Sequence, residues 1–218
     1  MIKQIALSYT QEFLHLEQVI LKDAGESRPV VVQCTAAHRN EGVTTITLAL
    51  ASFMAQKYGG RYTLAVEANF RNPAFRRVLS LRSPGSLLGV VQRKQTLEEA
   101  LQKVEDLGFY ALASDGLDGA LSDSLTDAAL EGLGPALVAL KKGFRYIFID
   151  SAAVIPFGES ASISKLVDHV ILVVESGKTN SEVVNRAIET IQAAGSDLSG
   201  IVLNKREFHI PQWLYRRI

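Results

Sequence analysis

Apolar runs of strand length, each separated from the next by a segment long enough for a helix, constrain this chain more than any other feature. Val30-Val31-Val32-Gln33-Cys34 comes first, followed by 62–66, Tyr146-Ile147-Phe148-Ile149-Asp150, 169–174 and 200–204, with a weaker run at 109–112. Such near-continuous apolar character marks strands covered on both faces, and strands joined through helices require right-handed crossovers. The expectation is an α/β fold with a mostly parallel central sheet and helices on both faces. Helical spacing of Phe13, Leu14, Leu16, Val19, Ile20 and Leu21 predicts an entry helix over about 8–22, with Ser8 or Thr10 as N-cap. A long apolar helix is expected over 43–56, a helical stretch over 97–104, and another helix ending near Lys142-Gly143. The Gly-, Ser- and Asp-rich stretches 82–89 and 114–124 read as surface connections.

Bulk properties exclude more than they assign. A length of 218 residues suits one domain over 1–218, and 47% hydrophobic with 21% charged residues is an ordinary globular composition. Lys+Arg and Asp+Glu balance at 23 each, so no global field favours nucleic acid or anionic lipid. No apolar run approaches the ~20 residues that span a bilayer. The single cysteine, Cys34, reads as a core residue in a reducing compartment, and a cytoplasmic location is expected.

In an open α/β sheet, ligands bind beyond the carboxyl ends of the strands, and the first strand-loop-helix is the usual phosphate cradle. Ala36-Ala37-His38-Arg39-Asn40-Glu41-Gly42-Val43-Thr44-Thr45 occupies that place. A working P-loop uses glycine to bring backbone N–H groups to the phosphates, a lysine to grip them, and the next hydroxyl to bind Mg²⁺. Gly42, Thr44 and Thr45 fit this template, whereas Val43 stands in the lysine position. Asp150, at the end of its strand, is placed like a carboxylate that holds Mg²⁺, with a helix cap as the alternative.

Further matches follow in order: Glu67-Ala68-Asn69-Phe70-Arg71-Asn72-Pro73 after the second strand, Pro84-Gly85 with Leu87 and Leu88, Asp150-Ser151, and Asn204 ending the last strand. Together with the loop they resemble the cytoplasmic kinase domain of the bacterial tyrosine kinases of polysaccharide synthesis and export, within the wider group of partition and septum-site P-loop ATPases. The resemblance covers nearly the whole chain. It implies nucleotide contacts from Asn40, Glu41, Gly42, Val43, Thr44, Thr45, Arg71 and Asn204, the last against the purine. It also implies metal contacts from Thr44 and Asp150, and vestigial catalytic roles for Glu67 and Asp150.

Departures from the family pattern concentrate in the chemistry. The family's first motif ends Gly-Glu-Gly-Lys-Ser/Thr-Thr, against Asn40-Glu41-Gly42-Val43-Thr44-Thr45; its second begins with two aspartates, against Glu67 and Asn69. Its entry-helix Glu-x-x-Arg-x-x-Arg, used between protomers, reads Glu12, His15, Gln18, and its tyrosine-rich tail is reduced to Tyr215. Charge-assisted contacts are worth roughly 1.5–3 kcal/mol, so losing the lysine should weaken nucleotide binding about ten- to a hundred-fold, and catalysis more. Arg39 or Arg71 is a replacement to test, against the alternative that each is solvated or paired with a carboxylate such as Glu41. His38 reads as a solvent-facing loop residue. Glu67 reads either as a base or metal contact, or as a helix cap or salt-bridge partner.

The expected function is therefore a non-catalytic, kinase-like component of an exopolysaccharide system, with ATP or ADP and Mg²⁺ binding weak or lost. Its implied partner is an integral-membrane polysaccharide chain-length-control (co-polymerase) protein that recruits it to the inner face of the membrane, with homo-oligomer formation left open. The alternative is an ATP-dependent tyrosine kinase or ATPase with an altered loop. A partition-type positioning ATPase is disfavoured, because the second lysine of that group is replaced at the candidate positions Thr35 and Ala36. The tail over 205–218, with Trp213, Arg216 and Arg217, either packs back on the sheet edge or serves as an exposed anchor.

Overall fold

The computed structural model describes residues 1–22, 28–115 and 122–206. In chain order its elements are α1 (Ile2–Ser8), α2 (Thr10–Leu21), β1 (Val30–Ala36), α3 (Val43–Tyr58), β2 (Thr63–Glu67), α4 (Phe75–Val78), α5 (Leu87–Val91), α6 (Leu97–Ala100), β3 (Leu101–Val104) and β4 (Phe109–Leu112). There follow α7 (Ser122–Leu140), β5 (Tyr146–Asp150), α8 (Glu159–Ser164), β6 (His169–Glu175), α9 (Ser181–Ala193) and β7 (Leu198–Asn204). The strands form one seven-stranded sheet in the order β3-β4-β2-β5-β1-β6-β7. All neighbours run parallel except β3 and β4.

The period-two geometry of β1 explains the layering. Val30, Val32 and Cys34 enter an apolar cluster with α1, α2 and α3, whereas Val31 enters a second cluster with α7 on the opposite face. Helix α3 is buried without interruption from Ile46 to Ala55, because the sheet lies on one side of it and the entry helices pack nearby. At roughly 1.5–3 kcal/mol per fully buried aliphatic side chain, this helix anchors the loop that precedes it. Strand order reverses around β1, which lies between β5 and β6, so the loop after β1 opens at the switch point where α/β sheets bind ligands.

Several boundaries depart from the sequence reading. The entry helix begins at Ile2 and breaks at Tyr9 into α1 and α2; neither Ser8 nor Thr10 is the N-cap, and the Thr10 hydroxyl instead donates to the Leu7 carbonyl at 2.8 Å. The helical stretch expected over 97–104 is one capped turn, with Thr96 and Glu99 forming a capping box, and then strand β3 pairs antiparallel with β4. Edge pairing to β4 satisfies the backbone that a longer helix would have used. Residues 85–87 are buried rather than a surface connection: Leu87 is fully buried, and Gly85 lies so close to the Ala100 backbone that a side chain would collide with it. The Arg76 guanidinium organises this turn by donating to the carbonyls of Ser83, Pro84 and Gly85. Of the stretch 114–124, Ser114 is buried, 116–121 lie outside the described residues, and α7 begins at Ser122. Among the described residues, no helix is long and apolar enough to cross a membrane.

Candidate functional site

The loop after β1 is held by contacts from β6, β7 and the turns beside them. Gly42 takes φ +98°, a left-handed conformation that glycine adopts without penalty, and serves as the N-cap position of α3. A side chain there would collide with the Asn204 amide, which donates to the Glu41 carbonyl at 2.8 Å. Lys205 Nζ donates to the Asn40 carbonyl at 2.6 Å, beside the positive φ of Asn40. Glu41 itself is buried; its carboxylate accepts the His38 N–H at 2.9 Å, the Glu175 N–H at 3.3 Å and the Thr179 hydroxyl. Residues from β6, β7 and their flanking turns thus hold the loop. Asn204, assigned to a purine contact by resemblance, spends an amide proton on the loop carbonyl.

Thr44 and Asp150 meet directly, the Thr44 hydroxyl donating to Asp150 Oδ2 at 2.6 Å. The other oxygen, Oδ1, is buried and has no hydrogen-bond partner. Burial pushes the Asp150 carboxyl up to about 8, with the Thr44 hydroxyl opposing and the neighbouring Glu67 charge adding to the rise. A hydroxyl beside an unsatisfied carboxylate oxygen suits a hard divalent cation such as Mg²⁺, which would neutralise the site. No group of three or more His, Cys, Asp or Glu that could hold a metal occurs among the described residues. A Mg²⁺ ion here would therefore depend on phosphate oxygens for further ligands.

Glu67 faces Asp150 in register on the adjacent strand, yet its environment differs. One carboxylate oxygen accepts the N–H groups of Ala74 and Phe75 at the start of α4; the other accepts the Ser114 N–H at 2.9 Å. Burial raises its pKa, and these backbone donors and Arg76 act against the rise. Of the alternatives open in the sequence, this geometry is that of a cap that also ties the loop after β4. Asn69 accepts the Asn72 N–H at 3.2 Å within a turn.

The positive charges take unexpected places. Arg71 donates from Nε to Glu159 Oε1 at 2.7 Å, and its guanidinium lies 4.9 Å from the centre of the Phe157 ring. Arg39 also stacks on Phe157, at 4.6 Å, rather than pairing with Glu41. His38 is exposed, as its loop position predicts. Val43 packs against the apolar cluster that contains α3, and Thr45 follows in the first turn of that helix. Phe157, Glu159, Thr179 and Lys205 were not singled out from sequence; only Lys205, adjacent to Asn204, carried a positional signal. Cys34, the single cysteine, is fully buried, and burial pushes its thiol up to about 12.

No protein-family model matches the chain. It is 24% identical over 176 residues to the tyrosine-protein kinase YwqD of Bacillus subtilis, covering 81% of this chain and 72% of that protein. Over 184 residues it is 22% identical to the succinoglycan biosynthesis transport protein ExoP of Rhizobium meliloti, covering 84% of this chain but only 23% of that much longer protein. Other relatives, in streptococci, are likewise named as tyrosine-protein kinases. Among solved structures, the VpsO kinase domain superposes with a TM-score of 0.77 at 25% identity, covering 94% of this chain and 98% of that one. The cell division ATPase MinD of Pyrococcus furiosus gives a TM-score of 0.66 at 18% identity, covering 86% of this chain and 78% of that one, a likeness of fold. The fold is that of a P-loop NTPase.

Proposed function

We propose that this chain acts as one kinase-like domain in an exopolysaccharide synthesis or export system, working through a bound partner with phosphotransfer weakened or lost. The observation that carries this reading is the fate of charge around the loop. Val43 packs against the apolar core, Arg71 contacts Glu159 and Phe157, and Arg39 stacks on Phe157. With valine at position 43, the loop position that would grip incoming phosphates and stabilise phosphoryl transfer carries no charge. The partner that suits such a domain is an integral-membrane chain-length-control protein, which would recruit it to the inner face of the membrane. The name of ExoP, a biosynthesis transport protein, supports that setting.

A second reading rests on Thr44 and Asp150. Their contact and the unsatisfied Oδ1 favour a retained Mg²⁺-nucleotide site, and with it an ATP-binding tyrosine kinase or ATPase with an altered loop. Calorimetric titration of ATP and ADP, with and without Mg²⁺, into wild type and Val43→Lys separates the two. The first reading expects weak or absent binding in wild type and about a ten- to hundred-fold gain on restoring lysine. Tight Mg²⁺-dependent binding by wild type, with phosphorylation of Tyr215 or of a partner that is lost in Asp150→Ala, would overturn it.

A further inference from the structure

At the end of the sheet opposite the nucleotide loop, where β1, β2 and β5 begin, lies a cavity of about 410 Å³. Its walls include the rings of Tyr58, Tyr62, Phe144 and Tyr146; Lys142 and Arg145 supply positive charge, and no acid is among the lining residues. Tyr58 closes α3, so the length of that helix, about 24 Å, separates the cavity from Thr44 in the first turn. Ligands of α/β sheets usually bind beyond the carboxyl ends of the strands, whereas this cavity lies at the amino ends.

Two of the lining residues carry buried donors without a partner. Tyr146 is 1% exposed, and neither its hydroxyl nor Arg145 Nε has a hydrogen-bond partner among the described residues. The Arg145 guanidinium lies 5.3 Å from the centre of the Tyr146 ring, which brings the two groups together. The backbone fixes their position, since the Arg145 N–H donates to the Tyr62 carbonyl at 2.9 Å and its carbonyl accepts the Val30 N–H at 2.7 Å. Among the described residues, neither Lys142 nor Arg145 forms an ion pair. Glu17, the acid that accepts from the Tyr58 hydroxyl, is itself paired with Lys57 at 2.6 Å. Buried hydrogen-bonding groups are nearly always satisfied, so orphaned donors beside unpaired cations call for an acceptor that carries negative charge.

We propose that this cavity binds a small organic anion, a phosphate or carboxylate joined to a planar ring. Arg145 Nε, the Tyr146 hydroxyl and the Lys142 ammonium receive the anionic group, while Tyr58, Tyr62 and Phe144 flank the ring. Arg61, stacked on Tyr62 at 4.5 Å, adds to the positive rim. A volume of about 410 Å³ falls within the range of small-molecule sites and exceeds what a lone phosphate fills. The site is independent of whether the nucleotide loop binds ATP or supports phosphotransfer.

Titration of the isotope-labelled full chain with phenyl phosphate, benzoate, benzylamine and inorganic phosphate tests the site by NMR, read from the Arg145 Nε–H resonance and the Gly143 and Tyr146 amides. Phenyl phosphate or benzoate should shift these signals to saturation, which also tells the two anions apart. The preferred one should bind about tenfold more tightly than inorganic phosphate, and benzylamine should leave the signals unmoved. Tyr146→Phe should weaken that anion about three- to tenfold, and Arg145→Gln about ten- to a hundredfold. Should Arg145→Gln fail to fold, Lys142→Ala, at an exposed position, takes its place with a loss of roughly tenfold. The proposal is overturned if neither anion moves the Arg145 signal, or if the shifts are confined to Gly42 and Thr44 at the nucleotide loop. Equal binding of benzylamine or of inorganic phosphate, or an affinity indifferent to Tyr146→Phe, overturns it as well.

Discussion

The ends of β2 and β5 lie side by side, and each presents a buried acid in the same register, Glu67 opposite Asp150. Glu67 is surrounded by backbone N–H donors from two separate loops. Asp150 has one hydroxyl donor and an oxygen with no partner. Equal burial therefore conceals opposite purposes. A carboxylate saturated by the backbone stabilises the fold, whereas one left short of donors is a place for a ligand or a proton. Of the two acids, the one left open to a ligand is Asp150, on the β5 side.

The sharpest way to break that contrast is Glu67→Ala. Removing the acceptor strands buried N–H groups of Ala74, Phe75 and Ser114, and the expected loss is about 3–5 kcal/mol in urea unfolding. A loss below about 1 kcal/mol together with altered nucleotide binding would place Glu67 in the ligand site instead. Asp150→Asn should act with the opposite sign. The folded carboxyl titrates near 8 and its ordinary value is 3.8, so the folded state holds the proton more tightly. Its stabilising contribution is complete below about 4 and is lost as pH rises through about 8. In chelator, Asp150→Asn should match wild type near pH 4 and gain on it as pH rises towards 8, by up to about 5 kcal/mol; a constant difference would refute the contrast. Thr44→Val removes the remaining donor to Asp150, so it should cost about 1 kcal/mol near neutrality and move the pH-dependent loss to higher pH. The smallest effect is expected for Arg71→Ala, about 0.5–1 kcal/mol, because its pair with Glu159 is partly solvated. A larger loss of nucleotide affinity than of stability in that variant would revive Arg71 as a substitute for the absent lysine.

Much of the scaffold was legible. Runs such as Val30-Val31-Val32 and Tyr146-Ile147-Phe148-Ile149 can be buried on both faces only as interior strands, and the apolar stretch after Gly42 can only be a covered helix. Leu101-Gln102-Lys103-Val104 was not legible, because its helical composition yields to pairing with β4, a contact invisible to local pattern. The buried Gln33 interrupts its apolar run without breaking the strand, since Ser151 Oγ and the Ser160 carbonyl, far along the chain, accept from its amide. In the site, the positions of Gly42, Thr44 and Asp150 follow from strand and loop order. The partners of Glu67, Arg39 and Arg71 do not, because they come from segments many residues away.

By itself the sequence determined the alternation of strands and helices, the place of the loop at the carboxyl end of β1, and the absence of lysine at Val43. These are properties of local pattern and residue chemistry, and they persist wherever the chain folds. Only the tertiary structure decided that Glu67 is saturated while Asp150 is not, that Arg39 and Arg71 converge on Phe157, and that Arg145 and Tyr146 bring unpaired donors to one cavity. Burial, hydrogen-bond supply and charge pairing depend on which distant segments the sheet brings together, and those quantities set whether an acid supports the fold or awaits a ligand.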